Sequence, residues 1–196
     1  SQTNCRKNRV LTRILIIFSL LALASACDDA ASRLDAEARV CKRALEIGEL
    51  ELAEEHCQLA VGDPADDVLA PQVRSERLYK LASIKRQLTK YNEAADLLGQ
   101  SLTLEQTLSG SASPQVARRH LEMSLILAGQ GQWQDGALLL EQTVPVADQL
   151  DDDDKRTLAN VLKRYAAQLQ KSQQTEQAAR LLAAAASLNK EPTTPR

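Results

Sequence analysis

The side chains in this 196-residue chain that can do chemistry beyond charge are four cysteines, at 5, 27, 41 and 57, and two histidines, at 56 and 120. Thiols can be alkylated, ligate a soft metal or form disulfides, and the compartment decides which. Neither His56 nor His120 has partners at metal-ligand spacing, so no metal site is expected. No Ser/His/Asp or Cys/His arrangement can be assembled, and there is no glycine-rich fingerprint. The chain is therefore not expected to be an enzyme, and no cofactor is expected. The run Asp151 to Asp154 precedes a helix expected from about Lys155, where acidic side chains favour the positive helix end. A calcium site needs ligands spaced around a loop, which a bare run does not provide.

Composition narrows the elements that could position these groups. The chain has 24 Lys+Arg against 26 Asp+Glu, 44% hydrophobic residues and 3% aromatics, with only 7 Gly and 6 Pro. Such low Gly and Pro exclude collagen-like and low-complexity chains and disfavour the many turns of a β-sandwich. Abundant Ala and Leu favour helices. A net charge of −2 argues against nucleic acid as a partner.

Residues 1–26 differ from the rest. Arg6, Lys7, Arg9 and Arg13 are positive, and no acidic residue precedes Asp28. From Ile14 runs ILIIFSLLALASA, a 13-residue stretch that ends at Cys27. This has the form of an export signal and is shorter than the ~20 residues that span a bilayer. A spanning anchor would have to recruit Val10, Leu11 and Arg13. The text Leu23-Ala24-Ser25-Ala26-Cys27 resembles the lipobox of bacterial lipoprotein precursors. Leu stands one place further back than usual, and a plain secretory cut near Ala26 is the competing reading. The resemblance implies that 1–26 is a lipoprotein signal peptide, that Cys27 carries the lipid, and that 27–34 is a short tether. Asp28-Asp29 after the cysteine resembles the signal that keeps enterobacterial lipoproteins on the periplasmic face of the inner membrane, with the outer membrane as the alternative. Removing residues 1–26 takes away four positive charges and no negative ones, so the net charge goes from −2 to −6.

The remainder repeats. Ala53, Ala94, Gly136 and Ala178 are spaced 41, 42 and 42 residues apart. Four positions beyond each stands Cys57, Leu98, Leu140 or Leu182, and seven beyond stands Ala60, Ser101, Thr143 or Ala185. Each copy is preceded by a second segment with an apolar stripe at helical spacing, such as Leu78, Leu81 and Ala82, or Leu162, Tyr165 and Leu169. The unit is helix, tight turn, helix, and small residues let the two helices approach closely. This resembles the tetratricopeptide repeat in its 42-residue, kinesin-light-chain-type variety. Gly136 and Thr143 depart from the usual alanines. The expected fold is all-α, a right-handed α-α superhelix of about four hairpins over 35–188, with approximate repeats 35–67, 74–108, 114–147 and 155–188. A bundle of eight amphipathic helices is the plain alternative, and 189–196 is expected to be a disordered tail.

In the tetratricopeptide family the first helices line a face that grips a partner segment. Carried over by register, the resemblance implies a groove of Lys42, Tyr79, Ser83, Arg86, Arg118, Leu121, Leu125, Lys163 and Gln170. This set suits a peptide with a carboxylate and aliphatic anchors, unless the long cations merely cover helical faces. The last helix is apolar nearly all round, which predicts a docking face including Leu181 and Leu188; a run of Ala as simple helix formers is the alternative. By register Cys41 and Cys57 lie on facing sides of the first hairpin, as a disulfide in an oxidising compartment or as two buried thiols. The expected function is a membrane-anchored periplasmic scaffold that binds an envelope protein or peptide segment. The alternative is a self-associating structural subunit that docks through the last helix.

Overall fold

The computed structural model describes residues 29–66 and 68–188, and Cys27 with the run before it lies outside them. Among the described residues the regular elements are helices, with no strand. The chain divides into two compact units at Ala70/Pro71. The first holds α1 (29–46) and α2 (Leu50–Val61). The second holds α3 (Pro71–Gln87), α4 (Tyr91–Ser109), α5 (Pro114–Gly129), α6 (Trp133–Thr143), α7 (Asp152–Lys171) and α8 (Thr175–Leu188). Helix α1 is formed at 29, inside the segment 27–34 expected to be a tether. Ala30 and Ala31, in that segment, are strong helix formers.

One turn is used four times. Gly48, Thr89, Gly131 and Gln173 all have φ between 60 and 79°, and they are 41, 42 and 42 residues apart. At each, the next residue closes back over five: Glu49 N–H to Ala44 O, Lys90 to Lys85, Gln132 to Leu127 and Gln174 to Leu169, at 2.8–2.9 Å. The left-handed residue itself donates three back, as Thr89 does to Arg86 at 2.9 Å. That pair of bonds satisfies the last carbonyls of one helix. The carbonyl after the turn then accepts from the small residue of the next helix, as Glu49 O does from Ala53 and Gln174 O from Ala178. The small-residue period in the sequence is thus also the period of the backbone turns.

The units differ in what fills them. In the first, the buried side chains are mostly small: Cys41, Ala44, Ala53, Cys57 and Ala60, with Val61 and Leu69. In the second, Leu98 and Ile126 pack over Ala82 and Ala94. A larger cluster joins Leu140, Leu158, Leu162, Tyr165, Leu169 and Leu181. Tyr165 explains the departure at position 136. Its phenol end occupies the space a Cβ at Gly136 would need, its hydroxyl donates to the Ser124 carbonyl, and its ring meets Trp133 edge-on at 5.1 Å. Caps stop and start the helices between hairpins. Ser113 accepts from the Val116 N–H at 3.2 Å ahead of Pro114, and Asp151 accepts from the Asp154 N–H at 2.8 Å.

Candidate protein-binding face

In the second unit the first helices of the hairpins, α3, α5 and α7, are tied to one another by charge. Arg86 on α3 donates to Glu122 on α5 at 2.6 Å. Arg118 on α5 pairs with Asp154 on α7, and with Asp151 at 2.7 Å. Both ties join residues 36 apart, so each first helix grips the next in the same register. The Asp154 backbone N–H, together with Arg118, holds the Asp151 carboxyl below its ordinary value. The run of aspartates therefore starts α7, which begins at Asp152 and not near Lys155 because Asp151 caps it, and also anchors α5.

Beneath this face lies a buried polar cluster with no signal in an apolar/polar pattern. Arg119 is 2% exposed, and its guanidinium reaches Glu76 at 3.1 Å and Glu105 at 3.4 Å. It also donates to the Ser75 and Ser101 hydroxyls at 3.3 Å and lies 4.9 Å over the Tyr79 ring. Ser101 donates to the Ser75 carbonyl at 2.7 Å, and Ser75 to Glu105 at 3.0 Å. The cluster ties α3, α4 and α5 together, and every member has a partner, as a buried arginine requires. Burial, then the carboxylates of Glu122 and Asp154, push the Tyr79 phenol up to about 12. His120, next along α5, is depressed by burial.

The residues expected to line a groove are distributed unevenly. Tyr79, Ser83, Arg86, Arg118 and Leu125 are half-buried on α3 and α5, while Lys163 and Gln170 are exposed on α7. Leu121 is 5% exposed and belongs to the core, because at its level α5 is pressed against α7. Arg86 and Arg118 are already matched by carboxylates of this chain, so the face does not present the open basic set that charge counting suggested. Lys42 belongs to the first unit, where it is exposed and stands 3.8 Å from Glu46. The signal that was missed was the acidic half, Glu122 and Asp154, each 36 residues after its arginine on the next first helix.

The last helix also differs from expectation. Leu181 is 1% exposed and Leu188 is packed against the same cluster, so neither forms an uncovered docking face. Ala178, Leu181, Ala185 and Leu188 recur at helical spacing and turn toward the core. The outward side of α8 carries Ala179, Leu182, Ala183 and Ala186 instead. Cys41 and Cys57 are joined as a disulfide with Cα atoms 5.1 Å apart. Among the described residues no cluster of His, Cys, Asp or Glu could hold a metal ion, and no helix is long and apolar enough to cross a membrane.

Solved structures resemble this arrangement. BtubC (BKLC) from P. vanneervenii matches with a TM-score of 0.67 at 17% identity, covering 83% of this chain and 67% of its own. MamA matches with a TM-score of 0.60 at 14% identity, covering 84% and 83%. The nearly identical tetratricopeptide-like repeats of a putative kinesin light chain from Podosopora anserina match with a TM-score of 0.56 at 21% identity, covering 82% and 88%. The fold is tetratricopeptide-like. At these identities the likeness is one of fold alone. No protein-family model matches the sequence, and no curated protein does.

Proposed function

We propose that this chain is a non-enzymatic scaffold that holds a segment of another protein across α3, α5 and α7. One observation carries the reading. Ser83, Leu125 and Ala167 stand 42 residues apart on three successive first helices, small or half-buried, while ion pairs on either side of α5 fix those helices to one another. A preset, shallow track of small and aliphatic side chains, flanked by arginines that already have partners, suits an extended segment with aliphatic anchors. A carboxylate on that segment falls to Lys163, since Arg86 and Arg118 already have partners.

The scaffold is carried on the periplasmic face of a bacterial inner membrane by lipid on Cys27, with an envelope protein as its partner. The Cys41–Cys57 disulfide supports an oxidising compartment. Photo-crosslinking from position 167 in intact membranes, with pull-down, tests the binding face. Ser83→Trp should abolish the crosslinked product while helical content is kept, and an unchanged product rejects this face. Cys27→Ser should move the chain out of the membrane fraction, and an unchanged location rejects the lipid anchor.

A further inference from the structure

We infer that the α1–α2 hairpin pairs with the same hairpin of a second copy of this chain. Large exposed aliphatics are concentrated there. Val40 is 41% exposed and Ile47 67% on the α1 side, and Leu52 is 41% and Leu59 50% exposed on α2. Val40 and Ile47 are seven residues apart, as are Leu52 and Leu59; Ile47 lies one residue past α1, but its N–H still donates to the Arg43 carbonyl at 3.2 Å, so each pair lies along one side.

The two faces open to the same side of the hairpin. Val40 precedes Cys41 and Leu52 precedes Ala53 by one residue, and Cys41 and Ala53 are buried between the helices. One residue back is a rotation of ~100°, and in an antiparallel pair that rotation leads to the same side from either helix. His56, likewise one residue before Cys57, reaches Glu37 on α1 at 2.6 Å. This is the side on which a preceding hairpin would sit. By register Val40 occupies the place of Tyr165, whose phenol packs on Gly136 of the hairpin before it.

Charge selects the occupant. The Cys41–Cys57 bond sets the level of one helix against the other. Counting outward from it, Val40, Arg43 and Ile47 stand level, within one residue, with Leu59, Glu55 and Leu52. Each stripe therefore reads aliphatic, charged, aliphatic, with opposite signs on the two helices. Among the described residues neither Arg43 nor Glu55 has an ion-pair partner, and both are exposed. A two-fold axis parallel to the helices lays α1 of one copy over α2 of the other. Val40 then meets Leu59, Arg43 meets Glu55, and Ile47 meets Leu52, each contact made twice. Such a patch is self-complementary, as an isologous interface requires. An anionic lipid surface would attract Arg43 and repel Glu55 in equal measure, so the paired signs favour a protein partner. The hairpin offers roughly 500 Å² per copy from its length and width, below the ~800 Å² of a standard interface, so the dimer is a weak one. The inference rests on α1 and α2 alone, so it stands whether or not α3, α5 and α7 bind a segment.

Sedimentation of the full chain in mild detergent over a range of concentrations tests it. A monomer–dimer equilibrium is expected. Arg43→Glu should raise the dissociation constant about tenfold or more, since it opposes two carboxylates across the axis. Arg43→Glu with Glu55→Arg should restore it to within about threefold of the parent. Leu59→Asp should leave a monomer of unchanged helical content. A chain that is monomeric throughout overturns the proposal. So does a dimer indifferent to Leu59→Asp, or a double charge variant no tighter than the single one. Burial of a probe at Leu59 in the monomer would mean that the chain itself covers the face, and would overturn it too.

Discussion

The hydroxyl of Tyr165 sits where a Cβ on Gly136 would have to go, so a residue of the first helix in one hairpin dictates a glycine in the second helix of the hairpin before. Helix propensity alone would favour Gly136→Ala by ~1 kcal/mol. Overpacking against a ring fixed by Ser124 and Trp133 costs about 1–3 kcal/mol and outweighs it. Gly136→Ala is expected to lower the unfolding midpoint in urea. The loss should be smaller in a Tyr165→Phe background, where the nearest clashing atom is gone.

Tyr165 and Tyr79 also predict behaviour in alkali. Burial raises both phenols, Tyr165 the further and Tyr79 to about 12, above the ordinary 10.0. A phenol whose folded value is raised contributes stability that is complete below the unfolded value and is lost as pH climbs past it. Stability should fall from about pH 10 upward, with helical signal and phenolate absorbance changing together. Titration of all the tyrosines near pH 10 in a chain that stays helical would contradict this.

The repeated turn makes a prediction of opposite sign at equivalent places. Thr89 has φ 60° and Gly131 φ 76°, and only glycine adopts this region without cost, a β-branched residue least of all. Thr89→Gly should stabilise the second unit by about 1 kcal/mol and Gly131→Ala should destabilise it by about as much. Thermal melts of the two variants against the parent check both signs.

Arg119 should be the most sensitive polar side chain. Arg119→Ala leaves the Glu105 carboxylate, 6% exposed, without its counter-charge and held only by the Ser75 and Ser109 hydroxyls, and removing one partner of a buried pair costs about 3–5 kcal/mol. Arg118→Ala, at a half-exposed pair, should cost about 1 kcal/mol or less. Chemical denaturation of the two neighbours separates them. Equal losses would mean that the buried cluster contributes no more than the surface tie.

The disulfide stands where the α3–α4 hairpin uses an aliphatic contact. By register Cys41 is the place of Ala82 and Cys57 that of Leu98, and those two pack together. Closing a 16-residue separation contributes about 3 kcal/mol in a chain-entropy account. Reduction should therefore loosen α1 and α2 while the second unit persists. Cys41→Ala with Cys57→Leu should make the first hairpin indifferent to reductant. Protease protection of the two units, with and without reductant, reads both outcomes.

The hairpins were legible because their period is written in small residues, and a small residue at a helix crossing is forced by distance. The left-handed turns were only half visible. Gly48 and Gly131 announce them, while Thr89 and Gln173 occupy the same backbone without the residue that marks it. The face was legible in outline and shifted in detail. Arg118 and Arg119 are adjacent and chemically alike, and the choice of the inward one rests on Ser75, Ser101 and Glu105, polar residues that an apolar stripe passes over. In α8 the choice between Leu181 and Leu182 is equally silent, since alanines surround both and only the packing of α7 selects one.

The four matched turns have a bearing on how such a chain could change its length. Residues 90–131 and 132–173 each begin just after one left-handed residue and end on the next. Removing either rejoins the backbone in the same φ and the same pair of bonds. Duplicating either adds a hairpin whose ends already fit. Hairpin number is then the quantity that unequal recombination can alter without disturbing a turn. The first hairpin, with its disulfide and its Val40–Ile47 stripe, is the segment least interchangeable with the others.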